Sequence, residues 1–224
     1  MAESDNSKWL EEGPQTEVTL LVEYHAKVIM ADKEIEPEMF SKWGETDAMR
    51  AAYKTSFYIN RCRPKIKSAE AREALFRKRT VDQILQEGFI DSTSDYAVAF
   101  RGLMIAQGVP ASFLETIDAN FVIGEKTHPG RAYVRVFDKE KGIIINPEKC
   151  EKINSKFKLL PHIIIGEGLD AWDLGLVLDR QGLTKYRDAN LPQLLDDYER
   201  LIGMKYTYEM DKIACFRRAN GFND

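Results

Sequence analysis

Apolar residues recur at helical spacing through the first third of the chain and at strand spacing further on. Over "EVTLLVEYHAKVIM", Leu20, Leu21, Tyr24 and Val28 share a helical side, which predicts a helix. "EIEPEMFSKW" and "TDAMRAAYKTSFYINR" predict two more, the second capped by Thr46 with Asp47 in its first turn. "SAEAREALFRKR" is rich in strong helix formers behind a possible cap, Ser68. "TVDQILQEGF" fits between Thr80 as cap and Gly88 as stop. Residues 17–90 therefore read as a mostly helical part. Residues 1–16 are polar, are broken at Gly13-Pro14, and are expected to form a flexible tail.

From Asp95 to Gln107 the pattern is apolar nearly all round, which predicts a helix in the middle of the core, starting at about Ser94. Gly108 and Pro110 end it. "ASFLETID" then reads as a short strand. "RAYVRVFD" alternates, with Ala132, Val134 and Val136 on one face and Arg131, Tyr133, Arg135 and Phe137 on the other. "KEKG" supplies a turn and "IIIN" a partner strand, so a hairpin is expected. "HIIIG" adds a strand and "LPQLLDDYERLIG" a C-terminal helix, while "MKYTYEMDKIACFRRANGF" fits either strand or helix. Helices first and strands later indicate an α+β fold over 17–224.

Composition narrows the function classes. Acidic residues exceed basic ones, 36 to 32, which gives no general pull toward nucleic acid or anionic membranes. No apolar run reaches the ~18 residues of a membrane span. The three cysteines, Cys62, Cys150 and Cys215, are far apart and lack metal-ligand spacing. Reduced thiols in a cytoplasmic protein are expected, with no metal and no cofactor. The polar N-terminus does not read as a signal peptide.

The stretch "STSDYAVAFRGLMIAQGVPASFLETID", followed by "GRAYVRVF" and then "IIINP", carries a resemblance. It is similar to the pattern Gly-Cys-x-Asp-Tyr-Ala, a helix ending Gly-Ile-Pro-Ala-Arg, a Gly-His-Ala-Trp/Tyr-Val-x-Val strand and a strand ending Val-Asp-Pro. That is the pattern of the transglutaminase-like superfamily of papain-like cysteine enzymes. The resemblance covers roughly residues 75–180 and includes "GEGLDAWDLG". It implies a central helix packed on an antiparallel sheet containing 112–117, 131–138 and 142–146, with a helical N-terminal extension. In the family, a cysteine at the helix start is the nucleophile, a strand histidine is the base, and an aspartate orients it.

Carried over position by position, the triad becomes Thr93, Arg131 and Asn146, and the preceding glycine becomes Ser92. Threonine here has no adjacent base. Arginine, with a pKa above about 12, cannot act as one. Family-type acyl transfer is therefore not expected. His128 reads as a loop histidine, His25 and His162 as structural, and Cys150 as a semi-buried thiol rather than a relocated nucleophile.

What remains is a helix N-terminus with the hydroxyls of Ser92, Thr93 and Ser94, beside Asp95 and within reach of Arg131 and Tyr133. If Arg131 faces the hydroxyls, the group suits a small anionic ligand or peptide. If Arg131 pairs with Asp95 or another acid, it fills space. Two other classes stay open. One is an enzyme of changed chemistry in the same cleft, with Thr93, Asp95, Arg131 or Tyr133 as participants. The other is a partner-binding protein using the N-terminal aromatics Trp9, Phe40, Trp43, Phe57 and Tyr58, most of which are expected to pack on the core.

Overall fold

The structure, a computed structural model, describes residues 6–32, 43–44, 46–61, 68–124, 130–138, 141–153, 162–175 and 180–202. Among the described residues, five α-helices precede the strands. They are α1 (Leu20–Ala31), α2 (Asp47–Ile59), α3 (Ala69–Leu75), α4 (Val81–Glu87) and α5 (Thr93–Ala106). Strands β1 (Ala111–Asp118), β2 (Ala132–Asp138), β3 (Lys141–Asn146), β4 (Glu151–Ile153) and β5 (His162–Gly168) follow. A single helical turn, α6 (Ala119–Val122), sits between β1 and β2, and α7 (Arg180–Ile202) comes last among the described elements.

Local chemistry explains the helix starts. The Thr19, Thr46 and Thr80 hydroxyls accept the amides of Val22, Met49 and Gln83. At α4 the Gln83 side chain also accepts from the Thr80 amide, closing a capping box, and Gly88 ends the helix at φ 66°. The sheet is antiparallel at every pairing, in the order β4-β3-β2-β1-β5. Phe113 lies opposite Val134, and Val134 opposite Ile145. These side chains meet Phe100, Leu103 and Met104 of α5 in the main core. The expected α+β arrangement of a central helix on an antiparallel sheet, with helices before it, is what the chain adopts. Gly102 lets α4 approach α5, because a Cβ there would lie 3.0 Å from the Val81 side chain.

Several expectations need correction. On α1 the core face is Val22, Ala26 and Ile29, whereas Leu20 is 85% and Tyr24 61% exposed. Both sets have helical spacing. The buried set holds the small Ala26, which permits close approach to α5. The C-terminal helix starts earlier than expected and runs through Pro192. The helix expected over residues 68–79 ends at Leu75. The expected helix over 34–43 lies almost wholly outside the described residues, as do His128, Cys62, Cys215, Phe40 and residues 204–222. Of the N-terminal aromatics that are described, Trp43 is buried, Trp9 stacks on Phe137, Tyr58 meets His25, and Phe57 stays 38% exposed.

The expected tail over 1–16 is not free over residues 6–16. Arg101 is fully buried in α5, and a buried guanidinium must fill its donors. Its Nε donates to the Ala111 carbonyl at 2.8 Å, and its other nitrogens donate to Thr16 Oγ1 at 2.5 Å and to the Glu11 carbonyl at 2.7 Å. The Gln15 amide donates to Asp170 Oδ2 at 2.7 Å, and Gln15 and Thr16 are buried. Burial lowers the Arg101 pKa to about 10, with Asp170 and Asp173 opposing the shift.

Replacing Arg101 with methionine should therefore cost about 2–4 kcal/mol of stability, since it removes three hydrogen bonds and strands buried acceptors. Urea denaturation reads the loss, and limited proteolysis should show faster cutting within residues 6–16. A change below ~0.5 kcal/mol would mean that the segment is held some other way.

Candidate functional site

The start of α5 is built by hydroxyl capping. Ser92 takes extended angles, and its Oγ accepts the Asp95 amide at 3.1 Å. The helix thus begins at Thr93, one residue before the expected start. The Thr93 and Ser94 amides, first in the helix, have no preceding helical carbonyl to bond.

Asp95 is buried, unlike an ordinary first-turn acid. Its Oδ2 accepts from Arg79 and, at 3.3 Å, from the Asp91 amide. Arg79 also bonds Glu87 Oε2 at 2.8 Å and the Phe89 carbonyl at 3.2 Å. Two residues earlier, Arg77 adopts a left-handed φ of 58°, a conformation costly for a non-glycine residue. Its guanidinium bonds Glu115 Oε1 at 2.6 Å and reaches Ser94 Oγ at 3.4 Å. The segment is held from behind. Gln15 Nε2 donates to the Arg77 and Arg79 carbonyls at 3.1 and 3.0 Å, and Trp172 Nε1 donates to the Arg77 carbonyl at 2.7 Å.

Glu115 faces α5 because strand alternation puts it on the side of Ala111 and Phe113. Burial pushes its carboxyl, and that of Asp95, above the ordinary carboxylate pKa, while the partner arginines pull the other way. Glu115 Oε2 is buried and has no hydrogen-bond partner among the described residues.

These groups surround a cavity of about 200 Å³. Ser92, Thr93, Ser94 and Asp95 line it, with Arg77, Glu115, Glu73 and Asp91 and with Gly130 and Arg131 from just before β2. Gly130 has no room for a side chain, since a Cβ would lie 1.9 Å from the Thr116 carbonyl oxygen. The Thr116 hydroxyl then donates to the Arg131 carbonyl at 2.6 Å. Thr93 Oγ1 accepts the Ala132 amide at 3.4 Å, which ties α5 to β2.

Five of the residues singled out by the sequence, Ser92, Thr93, Ser94, Asp95 and Arg131, therefore meet at one cavity. Arg131 does not spend its guanidinium on the hydroxyls, because it pairs with Glu148 in the turn after β3. The arginine that reaches the hydroxyls is Arg77. Tyr133 and Asn146 do not line the cavity. Tyr133 packs with Leu114 and Ile153 and bonds His162 Nδ1 at 3.2 Å, and burial raises its pKa to about 12. Asn146 is buried, and its Oδ1 accepts the Lys149 amide at 3.3 Å, shaping the turn. Of the described histidines, neither His25 nor His162 lines the cavity. No cluster of three or more metal-type ligands occurs among the described residues, and no described helix is long and apolar enough to cross a membrane.

Arg77, Arg79 and Glu115 were missed by the sequence reading. One signal for Glu115 was present: it is the lone carboxylate inside the apolar run "ASFLETI".

Cys150 is half-buried, and burial raises its thiol pKa to about 11, so it is poorly suited to be a displaced nucleophile. Iodoacetamide labelling at pH 8, read at the Cys150 peptide by mass spectrometry, should lag an exposed reference thiol by tenfold or more and accelerate as pH rises toward 11. Labelling at the reference rate would reverse this assignment.

No protein-family model matches the chain, and no curated protein matches it. Among solved structures it is similar to the crystal structure of a "Putative Cysteine Protease" from Cytophaga hutchinsonii, at 13% identity and a TM-score of 0.49. The alignment covers 78% of this chain and 50% of that one, so this chain spans half the length of the matched protein. What the cavity does is therefore argued from its own residues.

Proposed function

We propose that the chain is a transglutaminase-like protein whose Cys-His-Asp positions are held by Thr93, Arg131 and Asn146, and whose cavity at the start of α5 binds a small anionic group instead of transferring acyl groups. The observation that carries this reading is the opening of the α5 N-terminus, at Thr93 and Ser94, into a 200 Å³ cavity whose described lining holds neither thiol nor imidazole. Two amides and the positive end of a 14-residue helix favour a carboxylate or phosphate there. Arg131 stands at the rim as a fixed positive charge, balanced by Glu148. Thr93 Oγ1 is engaged by a backbone donor, and the residue in the base position cannot take a proton.

Catalysis of a different kind has one observation in its favour. A buried carboxyl with its pKa raised, such as Glu115, is what a general acid requires. Both readings use the same cavity.

Isothermal titration with acetate and phosphate should give saturable binding that Arg131→Ala weakens several-fold and that salt screens. Peptide hydrolysis and amine incorporation into glutamine substrates should both stay at background. Turnover in either assay that Thr93→Ala or His128→Ala abolishes would overturn the binding reading, as would the absence of any anion binding.

A further inference from the structure

Helix α1 carries more apolar surface than its place in the core uses. Val22, Ala26 and Ile29 are its buried face. On the rest of the helix Leu20, Tyr24, Lys27, Val28, Met30 and Ala31 are exposed, and Lys27 alone among them is charged. Helix α4 shows the ordinary pattern, with Gln83, Gln86 and Glu87 outward. At about 100° per residue, Leu20, Tyr24 and Val28 fall within about 40° of one line, on the side away from the buried face. Their exposures are 85%, 61% and 38%. Single exposed apolar residues need no explanation, but three in register along a helix form a seam of the kind through which helices pair.

The flank of the seam says what covers it. Glu23 and Lys27 lie on the same side of the stripe, with exposed side chains 3.5 Å apart. They sum to zero charge. A surface helix that binds anionic lipid carries several basic residues beside its apolar face, whereas α1 exposes Lys27 alone. A second copy of α1 fits better. Laid antiparallel with the two Tyr24 side chains at the two-fold axis, it places Leu20 opposite the second copy's Val28. At 1.5 Å per residue, each Glu23 then lies about 3 Å along the axis from the other copy's Lys27. Seam and flank are therefore self-complementary, as a two-fold contact requires.

We propose that α1 is a self-association surface: two copies of the chain pair antiparallel through Leu20, Tyr24 and Val28, with Glu23 and Lys27 exchanging partners across the seam. One helix stripe per copy is a small interface beside the ~1,200 Å² or more of stable complexes, so the dimer is weak and concentration-dependent. The seam involves none of the residues that line the cavity, and the inference is independent of what the cavity binds.

Sedimentation equilibrium of the whole chain at low ionic strength should show monomers at low micromolar concentration and a growing dimer fraction toward millimolar. Tyr24→Glu, at an exposed site, should keep the parent melting curve and raise the dissociation constant at least about tenfold. Glu23→Lys alone gives a flank of lysines only, and Lys27→Glu alone a flank of glutamates only. Each variant should stay monomeric, and an equimolar mixture of the two should dimerise at least as tightly as the unaltered chain. A stripe that is merely solvated gives no such recovery on mixing. A chain that is monomeric up to millimolar concentration would overturn the proposal, as would a dimer that Tyr24→Glu leaves intact or a mixture that stays monomeric. Monomers that co-sediment with phosphatidylserine vesicles would overturn it as well, and would assign the stripe to a membrane surface.

Discussion

The burial of Arg77 and Arg79 against Glu115 and Asp95 is the constraint on which the site depends. These four side chains come from the segment after α3, from β1 and from the first turn of α5, and all four residues are almost fully enclosed. Buried ion pairs of this kind add little net stability over apolar packing, because desolvation offsets most of the attraction. Their consequence is positional. Removing one partner leaves a charge in a dry environment, at a cost of about 3–5 kcal/mol, so the segment bearing the arginines and the helix start cannot move apart. A left-handed arginine at position 77 is tolerated within that framework, where Gln15 and Trp172 grip its carbonyl from the other side.

The N-terminal segment is part of the same device. Arg101 holds residues 11–16 against α5, and Gln15 in turn holds the backbone that presents Arg77 and Arg79. A chain of hydrogen bonds therefore runs from the middle of the central helix, through the leading segment, back to the start of that helix. The cavity lies at the closing point, where the first amides of α5 meet Glu115 and the strand that follows Gly130.

Much of this was legible from residue patterns, and the rest was hidden for physical reasons. The central helix, its hydroxyl cap, the Gly108-Pro110 stop and the strands after it follow from local rules that tertiary contacts do not override. The convergence of Ser92, Thr93, Ser94, Asp95 and Arg131 was implied by the resemblance, not by local rules. The partners of Tyr133 and Asn146 were not legible because a strand position fixes a face but not a partner. Tyr133 turned to His162, and Asn146 turned to its own turn. The core face of α1 was ambiguous because two apolar stripes share the same spacing. Arg77 and Arg79 stood in a run, "FRKR", that looks like a solvated helix end. Only the carboxylates of distant elements draw them inward. The isolated charges Arg101 and Glu115 within apolar elements were the visible hints that such long-range pairing exists.

The central claim is that the Arg79–Asp95 pair fixes the α5 start as a unit, and a double-mutant cycle tests it most directly. Urea denaturation of Arg79→Met, Asp95→Leu and the combined variant gives the coupling energy. The account predicts that each single change costs about 3–5 kcal/mol and that the double costs at least ~2 kcal/mol less than their sum. Additivity within ~0.5 kcal/mol would contradict it.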